Sequence, residues 1–140
     1  ISGIARRKIE MAHKRRAKKN IRCIVYLATV ADEDTVDRKE QKQLRYIREY
    51  AKAHQLQIVK VFHRSVLGQM DTNRHYQNIV RRIQSGEAEA ILLANMGMIS
   101  QSLPDAYGKV GQMLEAGGRV ITVDEGELKL NLAPIGGLAL

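Results

Sequence analysis

Hydroxyl and imidazole side chains are among the groups in this sequence able to attack an electrophile or move a proton. Thr29, Ser65, Ser100 and Ser102 carry the hydroxyls of interest, and His13, His54, His63 and His75 the imidazoles. The histidines have no metal-ligand spacing and read as surface or helix-end residues. Gly97 and the Gly117-Gly118 pair do not form a phosphate-binding glycine loop after a first strand. The densest functional signal is cationic. Arg6, Arg7, Lys8, Lys14, Arg15, Arg16, Lys18 and Lys19 stand against one acid, Glu10, so residues 1–20 carry +7 of the formal net charge of +8. Such a cluster would neutralise several phosphates and bind nucleic acid without sequence preference and with strong salt dependence. The alternative for this arm is a solvated extension, because basic runs specify nothing by themselves.

The element that must position any chemistry is the run IRCIVYLATV, residues 21 to 30. With β-branched residues on both parities it reads as a strand buried on both faces, as in the centre of a parallel sheet. In open α/β folds the working crevice opens at the carboxyl ends of such strands. Ala28, Thr29 and Val30 stand there, and none is poised to react. Neighbouring strand residues point to opposite faces, so the Thr29 hydroxyl aims away from a crevice that Val30 faces. Ser102, ahead of Leu103-Pro104, is explained as a helix N-cap. Met96, Met98 and Met113 read as packing residues, and a crevice lined by Val30, Met96 and Met98 would fill itself.

The rest of the chain alternates strand and helix. DRKEQKQLRYIREYAKAH places Leu44, Ile47, Ala51 and His54 on one helical stripe, with Asp34 or Thr35 as N-cap. QIVKVFH, residues 57 to 63, is a second strand, and RSVLGQMDTN a long loop. A helix capped by Asp71 or Thr72 carries Tyr76, Ile79, Val80 and Ile83 and ends at Ser85-Gly86. AEAILLAN, residues 88 to 95, is a third strand. The helix begun at Ser102 presents Ala106, Tyr107, Val110, Met113 and Leu114 and stops at Gly117-Gly118; RVITVDEG follows as a fourth strand. The tail alternates Leu128, Leu130 and Leu132, a pattern for a short edge strand, until Pro134 and two glycines break it. This order predicts an α/β three-layer sandwich, a mainly parallel sheet of four to five strands with helices on both faces. The expected organisation is a basic arm over 1–20, one domain over 21–126 and a tail over 127–140.

Length and composition agree with one domain, since 140 residues suffice for a real core. The single Cys23 excludes an intrachain disulfide and points to a reducing compartment. No apolar run reaches the roughly 20 residues of a membrane helix, so a cytoplasmic protein without membrane contact is expected.

The segments in this order resemble the catalytic domain of the serine site-specific recombinases, the resolvase and invertase group. The resemblance covers roughly residues 21 to 126 and is carried by the tyrosine strand, the Gln-x-Leu helix with REYAKAH, SGEAEAILL and ISQSL, all in register. In that family a Tyr-x-Arg-x-Ser run ends the first strand, and its serine attacks a DNA phosphate to form a covalent phosphoseryl link. Here the run is Tyr26-Leu27-Ala28-Thr29-Val30, which puts Val30 at the nucleophile position and Ala28 at that of the first arginine. The family's loop aspartate falls at Arg64. Its Asp-Arg-Leu-Ser-Arg run falls on Gly97-Met98-Ile99-Ser100-Gln101, so its acid and both arginines are missing. Arg74 is the retained cation; Gln43 keeps the helix glutamine and Gly68 the loop glycine.

Phosphoryl transfer rests on positioning and on concentrated positive charge around the non-bridging oxygens. Valine has no lone pair to attack with. The resemblance therefore implies a resolvase-like domain associated with site-specific recombination that has lost strand cleavage and needs no cofactor or metal. Its remaining role would be binding, to DNA through the arm or to a copy of itself or an active relative. Two alternatives stay open at this level: an active recombinase with displaced catalytic residues, and a nucleotide- or phosphate-binding regulator of flavodoxin-like topology.

Overall fold

The computed structural model describes residues 20–28, 33–63 and 72–130. Five strands and three helices alternate along these segments: β1 (Ile21–Leu27), α1 (Glu33–Ala53), β2 (Leu56–His63), α2 (Thr72–Gln84), β3 (Ala90–Leu93), α3 (Leu103–Glu115), β4 (Arg119–Thr122) and β5 (Gly126–Leu128). A single 3-10 turn, Met96–Met98, lies between β3 and α3. The strand order is β2-β1-β3-β4-β5; the first four strands are mutually parallel, and β5 is antiparallel to β4. The α/β sandwich with a mainly parallel sheet is therefore as the sequence predicts.

β1 is central because both of its faces are apolar. Ile24, Tyr26 and Ala28 enter the core beneath α2 and α3, among Tyr76, Ile79, Val80, Ile83, Val110 and Met113. Cys23, Val25 and Leu27 enter a second core with Ile47 and Ala51 of α1. Each fully buried aliphatic side chain stabilises the fold by about 1.5–3 kcal/mol, so two such layers pin the strand between its neighbours. β3 is buried at all four positions. β2, at the sheet edge, is exposed at Gln57, Val59 and Lys60. Its pairing with β1 slips between Cys23 and Ile24, leaving Val59 as the extra residue. A bulge and an exposed lysine on an edge strand discourage pairing with another chain.

Several local expectations change in the structure. α1 begins at Glu33, so Asp34 and Thr35 lie within the helix range. His54 lies beyond its end and is exposed, stacked on Tyr50 with ring centroids 4.0 Å apart. Tyr107 is 56% exposed, whereas the neighbouring Lys109 is buried and paired with Asp105 at 2.5 Å. Lys109 hides its aliphatic stem while its ammonium finds a carboxylate one turn away, which explains how it can take a core position. The short edge strand expected of the tail is present as β5, which reaches Leu128, and Leu130 packs against the core. Arg119 and Glu127 brace β4 to β5 through two hydrogen bonds of 2.8 and 2.5 Å.

Candidate functional site

The candidate site lies at the carboxyl ends of β1, β3 and β4, where Ala28, the 3-10 turn and the segment after β4 meet. Ala28 is 3% exposed, and Gln43 of α1 grips it at two points. The Ala28 N–H donates to Gln43 Oε1 at 3.1 Å, and Gln43 Nε2 donates to the Ala28 carbonyl at 3.3 Å. The same amide nitrogen lies 3.7 Å from Met98 Sδ. Gln43 thus ties the strand end to the turn after β3. Met96 and Ile99 are buried beside it, and half-buried Met98 packs against both core layers. Thioethers adapt to irregular gaps, which suits them to closing the end of a sheet.

The rim of this site is acidic. Asp124 accepts hydrogen bonds from the Tyr46 hydroxyl at 2.6 Å and from Asn95 Nδ2 at 3.0 Å. The Met96 N–H donates to Glu125 Oε1 at 3.1 Å. The Tyr46 hydroxyl, and then Asn95, hold the Asp124 carboxyl below its ordinary range, because both stabilise the ionised form. The same bond pushes the Tyr46 phenol upward. At the end of β2, Glu40 is 4% exposed and sits 2.5 Å from His63 Nδ1.

The positions singled out from the sequence are only partly assembled here. Ala28, Gly97 and Met98 gather at the strand ends, with Gly97 exposed on the turn; a Cβ there would come 3.0 Å from Asn95 Oδ1. Gln101 is exposed just beyond. Arg74 is exposed in the first turn of α2, where the buried His75 follows it. Val30, Thr29, Arg64, Ser65, Gly68 and the basic arm, Arg6 to Lys19, lie outside the described residues, as does His13. Ser102 is an N-cap: its side chain accepts from the Asp105 N–H at 3.2 Å, with Pro104 in the first turn. The Ser100 hydroxyl donates to the Met96 carbonyl at 3.0 Å.

His75 corrects the expectation of a surface imidazole. It is 9% exposed, and its Nδ1 lies 2.9 Å from the buried Tyr26 hydroxyl. His63 is engaged with Glu40. Neither pairing was legible from spacing, because both partners are distant in sequence. Asp124 and Glu125 were also missed; the only signal was their place just past the fourth strand. Among the described residues no group of three or more His, Cys, Asp or Glu side chains converges to hold a metal ion. Cys23 is fully buried, and its thiol is pushed up to about 12 by that burial.

Known structures share this architecture. The chain superposes on a resolvase family site-specific recombinase from Streptococcus pneumoniae with a TM-score of 0.65, at 14% identity, over 86% of this chain and 84% of that one. The C-terminal catalytic domain of ISC1926 TnpA, an IS607-like serine recombinase, matches with a TM-score of 0.58 at 13% identity, over 85% of this chain and 78% of that one. The N-terminal catalytic domain of TP901-1 integrase matches with a TM-score of 0.59 at 13% identity, over 84% and 89%. The fold is thus that of the serine recombinase catalytic domains. No protein-family model and no curated protein matches the sequence. Among the described residues no helix is long and apolar enough to cross a membrane.

Proposed function

We propose that this chain is a serine-recombinase-like domain that does not cleave DNA and acts as a binding module. The observation that supports it is the make-up of the strand-end site. Where the resemblance calls for guanidinium groups and an acid, Ala28, Gly97, Met98 and Gln101 offer no charge. Among the described residues, the charged groups gathered beside them are the carboxylates of Asp124 and Glu125. A phosphate diester entering this site would meet like charge, the opposite of the cationic preorganisation that phosphoryl transfer requires. The same carboxylates disfavour a phosphate-binding regulator built on these strand ends. In this reading the chain contacts DNA through Arg6, Arg7, Lys8, Lys14, Arg15, Arg16, Lys18 and Lys19, and pairs with itself or with an active recombinase. A reducing, cytoplasmic setting suits its single buried thiol.

The test is incubation of the purified chain with supercoiled DNA, followed by denaturing electrophoresis. The expected result is no nicked or linear product and no covalent protein–DNA band. Val30→Ser alone should not restore cleavage, because Ala28, Met98 and Gln101 still stand where the resemblance calls for arginine. A covalent adduct that disappears in Thr29→Ala would overturn the reading and identify a displaced nucleophile.

A further inference from the structure

Helix α1 carries a ridge of cations that the strand-end site does not use. At 3.6 residues per turn, Arg38, Lys42, Arg45, Arg48 and Lys52 fall on its outward side, opposite the buried Glu40, Ile47 and Ala51. All five are exposed, and none makes a hydrogen bond or ion pair with another described residue. Among the described side chains from Arg38 to Lys52, Glu49 is the one carboxylate on that side, so five positive charges against one negative leave +4 over that stretch. Arg38 to Lys52 spans about 21 Å of helix at 1.5 Å per residue. A duplex strand places a phosphate about every 3.4 Å along its axis, so the ridge runs alongside about six of them.

The ridge leads to the amino ends of β1 and β2. There Arg48 and Lys52 line a concavity of about 450 Å³ together with the carboxamides of Asn20, Gln55 and Gln57 and with no carboxylate. A second concavity of about 380 Å³ shares Arg48 and Lys52 and adds Gln41, Leu44 and Arg45, with Glu49. Guanidinium, ammonium and carboxamide N–H groups are the donors that hold phosphate oxygens. Asn20, in the lining, is the covalent neighbour of Lys19, the last cation of the arm sequence. Beside the cations the apolar groups are few, Tyr46 at 47% exposed and Leu44 at the second concavity, too little to insert into a bilayer, which favours nucleic acid over an anionic membrane.

We propose that the outward face of α1, with the concavity at its end, is a track for the phosphate backbone of duplex DNA, read without sequence preference. It extends the DNA-binding reading given above, which assigns contact to the arm alone. The test is fluorescence anisotropy of the full chain on a labelled duplex of arbitrary sequence, from about 50 to 200 mM salt. The triple variant Arg45→Gln/Arg48→Gln/Lys52→Gln should weaken binding to every duplex. It should flatten the slope of log K against log salt by about 3, near 0.9 per lost phosphate contact. Glu49→Gln should tighten binding. All positions are exposed, so circular dichroism should show unchanged folding. Unaltered affinity and slope in the triple variant, while neutralising Arg15, Arg16, Lys18 and Lys19 abolishes binding, would sink the ridge and leave the arm. Absence of DNA binding by the wild-type chain would sink both. Binding to phosphatidylserine vesicles but not to duplex would overturn the choice of nucleic acid.

Discussion

Gln43 shows how a polar side chain can hold a site together without reacting in it. Its amide satisfies both backbone groups of Ala28 where β1 ends, a place where unpaired polar groups would cost about 1–3 kcal/mol each. Tyr46, one turn further along α1, does the equivalent on the rim by donating to Asp124. Because that bond favours the ionised carboxyl, the folded Asp124 titrates below its unfolded counterpart. Its contribution to stability is present above the unfolded carboxylate value and is lost as pH falls through the folded one. In Tyr46→Phe the larger of the two supporting bonds disappears, so Asp124 should titrate at higher pH, and the acid-side loss of melting temperature should begin earlier. Asp124 is exposed, so the change in stability is small, and an NMR titration of its side-chain carboxyl is the direct measurement. An unmoved midpoint would show that the Tyr46 hydroxyl does not stabilise the ionised form.

At the scale of elements, α3 is the clearest case of local sequence dictating structure. Ser102 caps its start, Pro104 fits its first turn, and Gly117 at a φ of +82° lets the chain leave it. Gly118 follows for a different reason. A Cβ there would come within 2.7 Å of both Ile83 Cγ2 and Met113 Sδ, so α2, α3 and β4 meet too closely for a side chain. Gly118→Ala should therefore destabilise the protein by about 1–3 kcal/mol, the usual cost of overpacking, read from urea denaturation. A wild-type midpoint would mean that Met113 yields freely. Helical periodicity placed Ile47, Ala51, Ile79 and Met113 correctly in the interior. It failed at His54 and Tyr107, because period identifies a stripe but not where the covering layer stops.

For the whole molecule, the sheet order sets a gradient of protection from the centre outward. β1 and β3 are paired on both sides and buried on both faces, whereas β5 is a half-buried edge of three residues. Amide hydrogen exchange should be slowest for Ile24 to Leu27 and Ile91 to Leu93 and much faster in β5. Equal protection of β5 would contradict this gradient. Charge is likewise uneven: the strand ends gather Asp124 and Glu125, while the densest groups of cations are the ridge on α1 and the arm sequence. Residue identity and spacing along the chain suffice for the β/α alternation, the two-faced burial of β1, the cap at Ser102 and the absence of arginine at Ala28 and Met98. Those features depend on neighbours a few residues apart and on residue identity, which a linear reading captures. Packing in three dimensions was needed to show that Gln43 grips Ala28, that His75 is buried against Tyr26, that Asp124 and Glu125 rim the site, and that β5 closes the sheet in the antiparallel sense. Each of those pairings joins residues brought close by chain crossovers, and no periodicity along the sequence encodes the distance between them.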